Sequence, residues 1–280
     1  MSAAVVVKFG GELLEDPSRL QTVVNALTAI AADTSLVVVH GGGKEIDAAL
    51  KVAGIEKRQV DGLRITDEPT LDVVVSVLAG TVNTRFVAAL NTAGVRAVGL
   101  TGADGRCGLS EPAPPHLAVD GRVVDLGRVG LPVEESDVSV ITTLTAAGFV
   151  PVVSCIGLGT DGRLFNVNAD TFASHLAARL QARRLVIAGT TPGVLDTDGQ
   201  TIPVVDLAAV SELVSGGTAT AGMIAKLRAC TDAITAGVGD VVIADGRDAA
   251  SLLEAAVGRT PPAATRLVPA LTSAGRHQHH

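Results

Sequence analysis

Short, nearly unbroken apolar runs alternate along this chain with longer stretches of helical spacing. The runs are Val5–Phe9, Leu36–His40, 97–100, 150–155, 185–188 and 240–244. Between them, 20–31, 45–53, 71–93, 138–147 and 223–236 read as helices, and a further helix spans 171–180. A strand that is apolar on both faces needs cover on both, and strands joined through helices run parallel. The rhythm therefore predicts an α/β fold on a mostly parallel sheet with helices on both faces. Aromatic residues make up only 2% of the chain, with no Trp or Tyr, so Val, Leu, Ile and Ala must build the core.

The same scarcity of aromatics argues against stacking on nucleic-acid bases. A net charge of −7 points away from nucleic acid and anionic membrane as main partners, yet leaves room for small anions held by local Lys and Arg. No run has the unbroken apolar length of a membrane span. The N-terminus enters a strand directly, without a secretion signal. Cys107, Cys155 and Cys230 are odd in number and scattered, which predicts free thiols and a reducing, cytoplasmic setting. The tail His277-Gln278-His279-His280 is too short to argue a metal site.

The rhythm breaks at 112–129, where Pro112, Pro114, Pro115 and the turn Asp120-Gly121 predict a β-hairpin inserted at the sheet edge. No linker divides the chain. A soft boundary falls near residue 180, giving an N-terminal lobe over 1–180 and a C-terminal lobe over 181–280.

Two strand exits carry glycine clusters, Lys8-Phe9-Gly10-Gly11 and His40-Gly41-Gly42-Gly43. Each opens toward a helix. Glycine lets a ligand approach the backbone, and the N–H groups at a helix start point outward unpaired. The plain reading is two tight strand–helix turns; the pair, with Lys8 beside one, favours binding of two anions. Arg64, in Gly62-Leu63-Arg64-Ile65-Thr66, precedes a helix start marked by Asp67 and Pro69. It is either a surface arginine or a guanidinium fork for a carboxylate. In Asn166-Val167-Asn168-Ala169-Asp170 one polar cap would suffice before a helix. In an extended segment the three polar side chains share a face that could hold a substrate amide and organise a lysine. Gly222-Met223-Ile224-Ala225-Lys226 places a lysine near a glycine-preceded helix start, a weak signal on spacing alone. Gly157-x-Gly159-x-x-Gly162 precedes Arg163-Leu164-Phe165 rather than a helix, and reads as a turn-rich hairpin instead of a dinucleotide fingerprint. Asp245-Gly246-Arg247 reads as a turn without a catalytic role.

In order, these segments resemble the amino-acid kinase family over about residues 5–266. The carriers are Lys8-x-Gly10-Gly11, Val39-His40-Gly41-Gly42-Gly43, Asp61-Gly62-Leu63-Arg64-Ile65-Thr66-Asp67, Gly127-x-Val129-Gly130, the Asn166–Asp170 string, Pro192-Gly193-Val194-Leu195-Asp196 and Gly222-Met223-Ile224-x-Lys226. The Gly62–Asp67 string is most similar to the branch whose acceptor is N-acetyl-L-glutamate.

The resemblance implies a three-layer α/β/α sandwich on a mainly parallel central sheet. The N-terminal lobe would bind the acyl acceptor and dimerise, and the C-terminal lobe would bind ATP. It implies ATP-dependent phosphorylation of the γ-carboxylate of N-acetyl-L-glutamate, a step of arginine biosynthesis, with Mg²⁺ held mainly by the ATP phosphates and no protein metal site. Lys8 and Lys226 would stabilise the transferring phosphoryl group, and Asp170 would orient them. Gly10 and Gly11 would serve the phosphate, Gly42 and Gly43 the acceptor. Arg64 would bind its α-carboxylate and Asn166 would help fix it. Thr190 stands where the family usually has Asp, Ala221 where many members have Gly or Asp, and Ala103 where Lys is common. Only seven residues precede Lys8, so the resemblance to members lacking an N-terminal helix implies a homodimer that arginine does not inhibit. Two other readings stay open: a kinase for another acylated amino dicarboxylate, such as carrier-linked aminoadipate, and an inactive ligand-binding homologue.

Overall fold

The computed structural model describes residues 3–215 and 220–270; the His277–His280 tail lies outside them. The central sheet has eight strands: β1 (Val5–Phe9), β2 (Leu36–His40), β3 (Ala97–Thr101), β4 (Val150–Ser154), β5 (Arg184–Gly189), β6 (Val204–Asp206), β7 (Val241–Asp245) and β8 (Ala264–Val268). Their order is β6-β8-β7-β5-β1-β2-β4-β3. All neighbours run parallel except β7 and β8. β1, β2, β4, β5 and β7 are buried along their whole length, the pattern required of strands covered on both faces.

The principal helices are α1 (Pro17–Asp33), α2 (Gly43–Val52), α3 (Glu68–Thr92), α4 (Ser139–Ala146), α5 (Ala169–Arg179), α6 (Leu207–Ser215), α7 (Ala221–Thr235) and α8 (Ala249–Val257). α1 and α8 pack together on one face, with the end of α3 beside α1; α5 and α7 pack together on the other, with α4 against β4 and β2. The expected three-layer α/β/α sandwich is the architecture found. α3 is interrupted over Ser76–Val82 by a π-helical stretch. Contrary to expectation, α3 is long and apolar enough to cross a membrane by length and composition alone. In the fold, Leu71, Val74, Leu78, Val82, Phe86 and Leu90 are buried in the core.

The β-hairpin expected at 112–129 is found, but its expected place at the sheet edge is corrected. His116–Leu117 and Val123–Val124 form a ribbon apart from the central sheet, while Ser110–Pro112 and Val129–Pro132 join Ile156–Leu158 and Leu164–Val167 in a second, four-stranded sheet. The ribbon's apolar residues explain its place. Ala118, Val124 and Leu126 pack with Val60 and Leu63 of a neighbouring ribbon, Gln59–Val60 with Leu63–Arg64. Asp61 ties the two ribbons together, accepting from Val119 N–H at 3.0 Å and lying 2.8 Å from His116 Nε2. Gly157–Gly162 does lie in an antiparallel hairpin, as its sequence context requires. Cys107, Cys155 and Cys230 are free and buried.

Candidate active site

β1 sits where the sheet order reverses, with β2 on one side and β5 on the other. Open α/β sheets bind ligands outside the carboxyl ends of their strands at such a switch point. There a cleft of ≈ 260 Å³ is lined by Lys8, both glycine clusters, Glu12, Arg64, Cys155, Asn166 and Asn168, among others.

Lys8, the last residue but one of β1, is buried, with its Nζ 2.7 Å from Asp170 Oδ1 of α5. Burial works against the Lys8 charge, but the charge and hydrogen bond of Asp170, with the field of Glu12, outweigh it and hold the ammonium's pKa above its ordinary value. Lys226 approaches from α7, its Nζ 2.7 Å from the point where a Cβ on Gly189 would stand. Burial and then the charge of Lys8 push its pKa down, against Asp170 and Glu12. The two lysines and Asp170, far apart in sequence, thus share one electrostatic site.

The glycine turns touch. A Cβ on Gly11 would stand 2.6 Å from Gly42 Cα, and one on Gly42 2.9 Å from Leu78 Cδ2. Gly42 caps α2 without a side-chain hydrogen bond, so the N–H groups of the first turn open toward the cleft. Gly10 departs from expectation as a phosphate donor. Its N–H is bonded to Ala188 O at 3.3 Å, so this glycine contributes closeness rather than a donor. A Gly11→Ala substitution must push the two turns apart, and about a 10²-fold loss of kcat/KM is expected from a shift on the order of 1 Å. Near-normal kinetics of a folded variant would contradict the contact.

Arg64 is drawn in from the ribbon by Asp47 of α2, with Nη2 2.5 Å from Asp47 Oδ1 and 3.3 Å from Gly43 O. Its Nη1 is buried without a partner. Burial works against the Asp47 charge, but Lys57 and Arg64 outweigh it and keep the carboxyl below its ordinary value. Asn166 donates to Thr66 Oγ1 at 3.1 Å, which leaves its Oδ1 as an acceptor beside the cleft. The expected common face of Asn166, Asn168 and Asp170 is corrected. The extended segment stops at Val167, and Asn168 caps α5 by accepting from the N–H groups of Asp170 and Thr171. Asp170 therefore reaches Lys8 from a helix, not a strand. Asp67 does cap α3, accepting from Thr70 N–H at 3.0 Å.

Sequence reading missed Asp47, Thr66 and Glu12. Asp47 lies 17 residues from Arg64 and carries no local signal. Thr66 is fully buried and its carbonyl accepts from Arg128 N–H at 2.6 Å; Gly127 fits there because a Cβ would stand 2.4 Å from that carbonyl oxygen. Glu12, one residue past the glycines, signals itself only by standing next to Lys8 and Lys226 in space.

A second, more apolar cleft of ≈ 220 Å³ opens on the C-terminal side, between Thr191, Gly193, Val194 and Leu195 and the start of α7 at its cap Thr220 and Met223. Thr191 Oγ1 is buried there without a partner. Lys226, one helical turn after Met223, reaches the charged group formed by Lys8, Asp170 and Glu12.

A cleft at the switch point lined by Lys8, Arg64 and two glycine turns, with Lys226 coupled to Lys8 and an apolar cleft at the start of the same helix, defines the class as a small-molecule phosphotransferase. A model of the amino acid kinase family matches residues 3–245, and the chain belongs to that family. Acetylglutamate kinase of Granulibacter bethesdensis is 44% identical over 261 residues, which cover 90% of this chain and 86% of the relative. Acetylglutamate kinase of Novosphingobium aromaticivorans is 42% identical over 252 residues, 86% of this chain and 83% of the relative. Among solved structures, N-acetylglutamate synthase from Neisseria gonorrhoeae superposes with a TM-score of 0.80 at 24% identity, over 96% of this chain and 60% of that one. Giardia carbamate kinase superposes with a TM-score of 0.69 at 15% identity, over 96% of this chain and 99% of that one. These last two likenesses concern the fold.

Proposed function

We propose that this chain uses ATP to phosphorylate the γ-carboxylate of N-acetyl-L-glutamate, as the names of its relatives suggest. The observation that carries the reading is the unpartnered Arg64 Nη1, buried in the same cleft as Lys8. A carboxylate is the ligand that answers a buried guanidinium nitrogen. With the α-carboxylate on Arg64, the acetamido N–H faces Asn166 Oδ1, and the γ-carboxylate extends toward Lys8 between Gly11 and the 42–43 turn. Gly42 and Gly43 offer backbone N–H groups to the acceptor, and Gly11 one to the phosphoryl group.

The acceptor carboxylate is already ionised, so no general base is required. One of its oxygens attacks the γ-phosphorus in line; the bond to the β–γ bridging oxygen breaks and ADP leaves. Lys8 and Lys226 neutralise charge on the transferring group, and Asp170 keeps Lys8 in position. Catalysis is positioning and electrostatic stabilisation. Mg²⁺ enters on the ATP phosphates as part of the substrate; among the described residues no three His, Cys, Asp or Glu side chains gather as a metal site. The adenosine end fits the apolar cleft beside Met223, where Thr191 Oγ1 offers a hydrogen bond. Residues 1–180 then form the acceptor and dimerisation lobe and 181–280 the ATP lobe. The outer edge of β3 ends the sheet and gives a second copy a surface to join. The working form is a cytoplasmic homodimer.

The test is a coupled ADP-release assay with N-acetyl-L-glutamate, glutamate and aminoadipate as acceptors. Turnover is expected with the first. No turnover with any acceptor sinks the enzyme reading, and preference for glutamate sinks the acceptor assignment. A pH series adds a second expectation. Lys226 deprotonates below the ordinary lysine pKa, so kcat/KM for ATP falls on the alkaline side at a pH below that of a free lysine. A Lys226→Arg variant that keeps the same alkaline limb would assign it elsewhere.

A further inference from the structure

His40 ends β2 fully buried, one residue before the glycine run, and is not assigned to either substrate. Its ring is fixed by hydrogen bonds that begin at Val152, in the middle of the central strand β4. The Val152 carbonyl in β4 can only accept. Asn83 Nδ2 lies 2.9 Å from that oxygen and 2.9 Å from His40 Nε2. The amide nitrogen therefore directs one hydrogen to each, and Nε2 must accept. The ring proton then sits on Nδ1, 3.1 Å from the Gly41 carbonyl, and donates to it. Burial, partly opposed by the Gly41 bond, lowers the His40 pKa to about 4, so the ring is neutral at pH 7. This fits the network, because a proton on Nε2 would face the Asn83 amide hydrogens.

The consequence falls on the next peptide. Gly41 N–H donates to Phe9 O at 3.1 Å, so both polar groups of Gly41 are held. The Gly41–Gly42 bond is trans, so Gly42 N–H points opposite to the carbonyl that His40 holds. Gly42 N lies 3.0 Å from where a Cβ on Gly11 would stand, on the cleft side. Asn83 directly follows the π-helical stretch, whose Leu78 and Val82 back Gly42. We propose that Asn83 and His40 are positioning residues that hold the Gly41–Gly42 peptide with its N–H turned into the acceptor cleft. This role rests on the kinase reading above.

The experiment compares His40→Asn with His40→Gln. An Asn amide reaches the place of Nδ1 and can still donate to Gly41; a Gln amide reaches the place of Nε2 and cannot. His40→Gln is expected to raise KM for N-acetyl-L-glutamate about tenfold or more, from loss of one orienting hydrogen bond, while KM for ATP stays near wild type. His40→Asn is expected to keep most of the acceptor affinity. An equal rise in both variants, or none in His40→Gln, overturns the proposal. Should a variant fail to fold, ¹⁵N-labelled wild-type protein still decides. The His40 ring is expected as the neutral Nδ1–H tautomer at pH 7, and an Nε2–H tautomer overturns the proposal. Absence of wild-type turnover with N-acetyl-L-glutamate would sink the kinase reading and this role with it. That result is distinct from normal wild-type turnover with an unmoved His40→Gln.

Discussion

Lys8→Ala is expected to lower kcat by about 10²-fold or more, the scale seen when one preorganised donor is removed from a developing charge. In free energy this is about 2.7 kcal/mol of lost transition-state stabilisation. The argument is geometric and electrostatic. Lys8 lies near the end of β1 at the switch point, and Asp170 keeps it both charged and aimed. Lys226 cannot take over, because it sits on a different element and its own charge is opposed by burial and by Lys8. The substitution also leaves Asp170 nearly buried without its partner, which costs about 3–5 kcal/mol of stability when a buried pair is broken. A melting curve must therefore accompany the kinetics. Asp170→Asn separates the effects: Lys8 keeps a hydrogen-bond partner but loses the charge that offsets its burial, so its pKa falls, and a smaller loss of kcat than in Lys8→Ala is expected. A folded Lys8→Ala variant with full turnover would remove Lys8 from the chemistry.

Arg64→Ala has the second largest expected effect, and it falls on the acceptor. KM for N-acetyl-L-glutamate is expected to rise about 10–10²-fold, the range for losing a hydrogen bond to a charged group. KM for ATP should move little, since Arg64 lines the first cleft and takes no part in the apolar one. Arg64→Lys is not expected to restore binding. The guanidinium serves two masters at once, holding Asp47 and Gly43 O through Nη2 while offering Nη1 to the ligand. A lysine is a single point charge and would be drawn to Asp47 alone. Titration of the acceptor at saturating ATP checks both variants. An unchanged acceptor KM in Arg64→Ala would move the carboxylate site elsewhere.

The sandwich was legible in the sequence because its central strands are apolar on both faces, a pattern that few other elements share. The sheet margin was not. β6 is three residues long, and β8 pairs antiparallel with β7 and carries Arg266 outward to Asp240 at 2.9 Å, so neither reads as a buried parallel strand. The π-helical stretch over Ser76–Val82 was also hidden, because its side-chain spacing is close to that of the α-helix around it. Within the site, Lys8, the glycine turns and Arg64 stood out as residue types that suit anions at strand exits. Their supports did not. Asp47 meets Arg64, and Asn83 meets His40, only after the chain has crossed between elements. The alternation of Asn166, Asn168 and Asp170 suggested a shared face, but the cap at Asn168 turns the backbone helical before Asp170 is reached.

The central claim is transfer of a phosphoryl group to a carboxylate, which makes an acyl phosphate. Hydroxylamine trapping tests it most directly, with the wild-type protein, ATP, Mg²⁺ and N-acetyl-L-glutamate, and the trapped product identified by mass. The account predicts a γ-hydroxamate of N-acetyl-L-glutamate formed in step with ADP. ADP release without hydroxamate, or hydroxamate on another acceptor in preference, would contradict it.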